Sequence, residues 1–221
     1  MKLLHVVNQI RDAVKTVTMI YTKIKETIEK LDVSAISEER QNLLNSFKAY
    51  IQDKKDKKQA VNLNFICTHN SRRSHLSQVW AQALADYYKV PNVTCYSGGT
   101  EATAMYPSAA KALEASGFVI TALSEGENPV YAINYDKDAH PIIAFSKTFN
   151  HIVNPTMKFA AIMTCSSADE GCPFIPGTEK RIALTFEDPK VFDGTSKQEE
   201  KYLERSLQIA TELKFVFSNI K

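Results

Sequence analysis

The sequence predicts an α/β fold: a four-stranded parallel sheet flanked by helices, with an N-terminal helical extension and an inserted β-hairpin. Three observations predict it. From Val61 onward, apolar runs of strand length alternate with amphipathic runs of helix length, the rhythm of right-handed βαβ units. Residues 1–58 contain no Gly and no Pro and keep a helical spacing of apolar residues. One segment, about 128–149, breaks the rhythm with two apolar runs around Asp136-Lys137-Asp138 and reads as a β-hairpin between a helix and a strand.

The extension comes first. Leu3, Val7, Ile10, Val14, Val17, Tyr21, Ile24, Ile28 and Leu31 alternate spacings of four and three, an a/d seam that predicts one long helix. Asp32 to Ile36 ends it. Ser37, followed by Glu38 and Glu39, is an N-cap signal for a second helix running to about Asp53. The two are expected to form a helical hairpin, with the seam also suited to a homodimer. The Lys-rich run Asp53 to Lys58 reads as a solvated junction before a catalytic unit over 59–221.

Within that unit, Val61–Cys67, Val93–Ser97, Phe159–Cys165 and Arg181–Phe186 are the expected strands. Ser74–Tyr88 is an expected helix with Leu76, Val79, Trp80, Ala83, Leu84 and Tyr87 inward. Pro107–Ser116 starts with Pro and is closed by Gly117, and Lys197–Ser218 is a last amphipathic helix.

Bulk composition excludes several classes. With 27 basic and 25 acidic residues, the net charge of +2 gives no nucleic-acid footprint. No run of 18 apolar residues exists to cross a membrane, and the N-terminus lacks the pattern of a secretory signal. Four cysteines in 221 residues are too few for a disulfide scaffold. A reducing cytoplasm is the expected setting, where cysteines act as nucleophiles, redox groups or metal ligands.

The informative stretch is Cys67-Thr68-His69-Asn70-Ser71-Arg72-Arg73-Ser74, between a predicted strand and a predicted helix. Five residues between Cys67 and Arg73 can wrap a tetrahedral oxyanion with inward-pointing backbone N–H groups, and the following helix adds its dipole. Arg73 offers a planar bidentate fork. These charges lower the pKa of a cysteine at that spot, and Ser74 can donate a hydrogen bond to the sulfur. Cys67 is then a nucleophile beneath a bound oxyanion.

Two further motifs stand beside it. Tyr96-Ser97-Gly98-Gly99-Thr100-Glu101 follows the second strand. Cys165 and Cys172 bracket Ser166 to Gly171, ahead of Phe186-Glu187-Asp188-Pro189. The six-residue spacing and the absence of a nearby His count against zinc. The residues alone leave open a redox pair or two inert core thiols. Cys95, inside a strand, reads as a small buried hydrophobe. His75 reads as a surface or capping residue beside the loop.

Together these motifs resemble the low-molecular-weight protein tyrosine phosphatase family, and within it the thioredoxin-coupled arsenate reductases. The resemblance runs from about Val61 to the C-terminus, interrupted by the hairpin. It implies Asp188 as general acid on a loop stiffened by Pro189. It also implies a relay: Cys67 attacks arsenate, Cys165 attacks Cys67 as arsenite leaves, and Cys172 attacks Cys165. The final disulfide is reduced by a thioredoxin-like partner, across a spacer expected to be flexible. The alternative is a phosphatase hydrolysing phosphotyrosine or other phosphomonoesters through a phosphocysteine. A third reading is a binding module on an inactive phosphatase scaffold.

The chain departs from the family at three positions in and near the loop. His69 stands where the loop usually has Gly, which puts a side chain where positive φ is common. Arg72 stands where relatives often carry a second cysteine, and is expected to add charge for oxyanion capture. No cofactor is expected to bind tightly. Some relatives bind a potassium ion beneath the loop; Asn70 and Ser97 match positions used there, but Gln78 replaces an acidic ligand.

Overall fold

The computed structural model describes residues 20–171 and 174–221. Its centre is a parallel sheet of four strands: β1 (Val61–Cys67), β2 (Val93–Gly99), β6 (Phe159–Met163) and β7 (Thr178–Ala183), in the order β2-β1-β6-β7. The predicted sheet is therefore present, with β7 starting three residues earlier than expected. β1 is buried along nearly its whole length because it is sandwiched between two strands and two layers.

Strand alternation sorts the core. Leu63, Phe65, Ala160 and Ile162 join the large cluster under the helices. Those helices are α2 (Glu38–Asp56), α3 (Arg73–Tyr87), α4 (Pro107–Ala115) and α6 (Gln198–Ser218). Ile66, Cys67, Phe159, Ala161 and Met163 join a smaller cluster with Cys165, Ala168 and Ile175, under the short helix α5 (Ser166–Gly171). The supposedly flexible spacer is thus a helix, held by Arg181 of β7, whose guanidinium lies 2.6 Å from Asp169.

The extension differs from its prediction. Ile20 forms an antiparallel bridge with Asp136, and the Tyr21 N–H donates to the Tyr135 carbonyl, so the chain is extended there. Helix α1 begins only at Thr22 and ends at Lys30. Tertiary pairing overrides the helical spacing at this point; the seam from Leu3 to Val17 lies outside the described residues. Ile24 and Ile28 are fully buried, and the Lys214 ammonium binds the carbonyls of Ile28 and Leu31. Helix α2 is capped by Ser37 as expected and buries Leu44, Phe47 and Ile51. All five share the core of the central sheet, so the described part of the seam is used within the chain.

The predicted hairpin is two strands of three. β4 (Tyr131–Asn134) and β5 (Ile142–Ala144) pair antiparallel, and β3 (Val119–Ala122) adds to β4. β3 escaped the sequence reading because its four residues are mostly exposed and carry no alternation.

Candidate active site

The carboxyl ends of β1, β2 and β6 converge, and the site lies there. Cys67 closes β1 opposite Gly99 of β2, and Cys165 follows β6 by two residues. Residues 68–72 form the loop and Arg73 starts α3.

The loop turns its carbonyls outward. Cys67 O accepts from Thr100 N, Thr68 O from Glu101 N and from Thr100 Oγ1, and Ser71 O from Tyr106 N. His69 O accepts from Ser146 Oγ and Thr103 Oγ1. Among the described residues, none accepts a hydrogen bond from an amide N–H of 68–73. Unpaired N–H groups beside a helix N-terminus are the elements of an oxyanion cradle.

Ser74 lies beside Cys67. Its Oγ is 3.0 Å from Cys67 Sγ and accepts a 2.8 Å hydrogen bond from Asn70 Nδ2. The Ser74 hydroxyl proton is free to donate to a Cys67 thiolate. The positive φ falls on Asn70, at 43°, and not on His69; Asn tolerates that region. Two glycines permit the close approach of neighbouring chain. A Cβ on Gly99 would come within 2.6 Å of Thr68 O, and one on Gly98 within 2.4 Å of Phe149 Cα. His69 faces outward, 3.3 Å from Glu101.

Arg73 donates to Phe186 O at 2.9 Å and to Asp188 Oδ2 at 2.5 Å. It thereby joins the predicted acid to the nucleophile loop. Asp188 also caps the 3-10 turn Pro189–Phe192 by accepting from Lys190 N. The Phe186 N–H binds Thr164 O, which ties the acid loop to the end of β6.

Arg72 does something other than predicted. Its guanidinium binds Asp193 at 2.7 Å and the Tyr202 hydroxyl at 2.5 Å, and lies 4.0 Å from the centre of the Tyr106 ring. The fork is spent on fastening the loop to α6. These contacts hold the guanidinium against Tyr106 and Asp193.

Cys165 is 1% exposed and shares the small apolar cluster with Cys67. Thr68 Oγ1 stands 3.5 Å from Cys165 Sγ, and Ala168 N–H donates to that sulfur at 3.4 Å. Cys67, Cys95 and Cys165 are free thiols. Cys172 lies outside the described residues. Cys95 is buried as expected, and burial pushes its thiol pKa well up.

His75 is fully buried, contrary to prediction, with Nδ1 3.3 Å from Ser97 Oγ. Burial, reinforced by the positive charge of Lys147, lowers its pKa to about 3, so the ring is neutral. Nothing near His75 in sequence signals this; the cause is the inserted segment folding over α3.

That segment supplies residues sequence reasoning missed. Ser146 binds His69 O at 2.9 Å and receives the Thr103 N–H. The Lys147 N–H donates to Asn70 Oδ1 at 2.9 Å, while Lys147 O accepts from Gly99 N. The insertion is therefore a buttress of the catalytic loop. It also bears on the cation that the resemblance suggested. Asn70 Oδ1 is taken by Lys147 and Ser97 Oγ by His75, and Gln78 carries no charge. Gln78 Oε1 is nevertheless buried without a hydrogen-bond partner among the described residues. Among the described residues, no group of three His, Cys, Asp or Glu could hold a metal ion.

No protein-family model matches the chain. Two curated proteins named arsenate reductase do. One, from Bacillus subtilis, is 30% identical over 142 residues, covering 64% of this chain and 83% of that protein. The other, from Bacillus licheniformis, is 28% identical over 145 residues, with the same two coverages. Two solved structures also align. A low-molecular-weight phosphotyrosine phosphatase from Vibrio cholerae has a TM-score of 0.49 at 14% identity, covering 71% of this chain and 94% of that one. An arsenate reductase in a phosphate-binding state has a TM-score of 0.48 at 18% identity, with coverages of 72% and 98%. The sequence relatives decide the matter: this chain is an enzyme and belongs to the arsenate reductase family.

Proposed function

We propose that the protein reduces arsenate to arsenite through Cys67 and a thiol relay. The observation that carries this reading is Cys165, a free buried thiol in the same apolar cluster as Cys67, with the hydroxyl of the next residue, Thr68, 3.5 Å from its sulfur. A hydrolase needs no second thiol there.

The steps balance as follows. Arsenate sits in the N–H cradle of residues 68–73, with Arg73 as counter-charge. The Cys67 thiolate, held by Ser74, attacks arsenic, and an oxygen leaves as water with a proton from Asp188. The Cys165 thiolate then attacks Cys67 Sγ. A Cys67–Cys165 bond forms, the sulfur–arsenic bond breaks, and its electron pair reduces As(V) to As(III), released as arsenite. Cys172 next attacks Cys165 and frees Cys67 as thiolate. An external dithiol of the thioredoxin type supplies two electrons to the last disulfide.

The relay requires a reducing compartment, which the cytoplasm provides.

Phosphomonoester hydrolysis is the second reading, because a carboxyl beside Arg73 would serve a phosphocysteine mechanism equally well. Arsenate-dependent oxidation of thioredoxin, measured with wild type and Cys165→Ser, separates the two. Turnover lost in Cys165→Ser supports reduction. No arsenate turnover in wild type, with rapid aryl phosphate hydrolysis, supports the phosphatase.

A further inference from the structure

We infer that Arg40, in the N-terminal extension, is a positioning residue that fixes the loop carrying the proton donor Asp188. This rests on the reading of Asp188 as general acid.

Residues 184–188 connect β7 to the 3-10 turn Pro189–Phe192 and form no strand or helix of their own. Their backbone carbonyls therefore need partners from elsewhere. Two successive ones are taken by arginines. Arg73 Nη1 donates to Phe186 O at 2.9 Å, and Arg40 Nη2 donates to Thr185 O at 2.9 Å. The Arg40 guanidinium also lies 5.1 Å from the centre of the Phe186 ring. Arg40 thus grips the two residues that lead into Glu187 and Asp188. The loop borders a cleft of about 900 Å³, which Arg40, Arg73, Phe186 and Asp188 line together. Packing leaves it open on that side, so directional bonds set its position.

Arg40 is itself held at both ends. It sits in the first turn of α2, where its backbone N–H donates to the capping Ser37 Oγ at 3.3 Å. Its Nε and Nη2 each lie 2.8 Å from Glu212 Oε2 of α6. Glu212 is 4% exposed, and its other oxygen accepts from Gln208 Nε2. A planar guanidinium fork can serve Glu212 and Thr185 O together, which a lysine ammonium cannot reproduce. Arg40 precedes Val61, where the family resemblance begins. The extension therefore adds to the acid loop a contact that the family's motifs do not contain.

A double-mutant cycle tests this. Turnover with arsenate, followed as thioredoxin oxidation, and with phenyl phosphate is measured for wild type, Arg40→Met, Arg40→Lys, Asp188→Asn and the two double variants. Circular dichroism and urea unfolding monitor the fold. Arg40→Met is expected to lower kcat about tenfold, less than the about 10²-fold of losing the carboxyl, with inhibition by inorganic phosphate little changed. Arg40→Lys keeps a charge beside Glu212 and is expected to fold and to lose most of the same rate. In the Asp188→Asn background neither substitution is expected to slow turnover further. An equal loss with and without the Asp188 carboxyl would mark Arg40 as structural only and overturn the inference. Folded variants at the wild-type kcat overturn it too. If Arg40→Met does not fold, the Arg40→Lys cycle decides. Asp188→Asn turning over at the wild-type rate would instead overturn the reading of Asp188, and the inference with it.

Discussion

Ser74 Oγ stands 3.0 Å from Cys67 Sγ and takes a 2.8 Å hydrogen bond from Asn70, which leaves its own proton free to bind a Cys67 thiolate. A hydrogen bond to a charged group is worth roughly 1.5–3 kcal/mol. Ser74→Ala is therefore expected to slow alkylation of Cys67 at neutral pH about tenfold. The pH dependence of iodoacetamide alkylation measures it; an unchanged profile would remove Ser74 from the site.

Asp188 binds Arg73 at 2.5 Å and is also the proposed proton donor. Asp188→Asn removes the proton and also a negative charge beside the cradle. Turnover is expected to fall about 10²-fold, while phosphate binding tightens. Steady-state kinetics together with calorimetry separate the two effects, and a parallel loss of both would contradict the assignment.

Arg72 and Arg73 are adjacent in sequence but have different work. Arg72 is held by Asp193, Tyr202 and Tyr106, so Arg72→Ala is expected to cost stability, about 1–2 kcal/mol by urea unfolding. Phosphate affinity should change far less than in Arg73→Ala. Equal losses of affinity in the two variants would show that Arg72 does reach the oxyanion.

His75 gives a pH prediction with a defined sign. Its pKa falls from 6.5 to about 3 on folding, chiefly through burial. Between those values the unfolded chain binds the extra proton, so this group's contribution is full above pH 6.5 and is lost as pH falls toward 3. Other groups titrate in the same range, so the comparison is between wild type and His75→Gln. Urea unfolding at pH 7.5 and at 4.5 should show a smaller acid loss in the variant. Equal slopes would mean that His75 is protonated in the folded protein.

The fold was legible where the information is local. Cys67 to Ser74 could be read because the loop's chemistry lies within eight consecutive residues between a strand and a helix. The same holds for the Ser37 cap and the four strands. What failed depended on distant chain. Ile20 sits on a good helical spacing, yet pairs with Asp136. Arg72 looks like an oxyanion ligand until Asp193 and Tyr202 are brought to it. Ser146 and Lys147 lie 77 residues from the loop atoms they bind, and no spacing in the sequence links them. The spacer between Cys165 and Cys172 reads as flexible from its composition. It is helical because Arg181 of β7 holds Asp169.

The central claim is that Cys67 and Cys165 exchange a disulfide in response to arsenate. Treating Cys172→Ser with arsenate, blocking free thiols and mapping disulfides by mass spectrometry tests it directly. A Cys67–Cys165 disulfide that forms only with arsenate is the predicted result. Both thiols recovered free and blocked, with aryl phosphate still hydrolysed by the same protein, would contradict it.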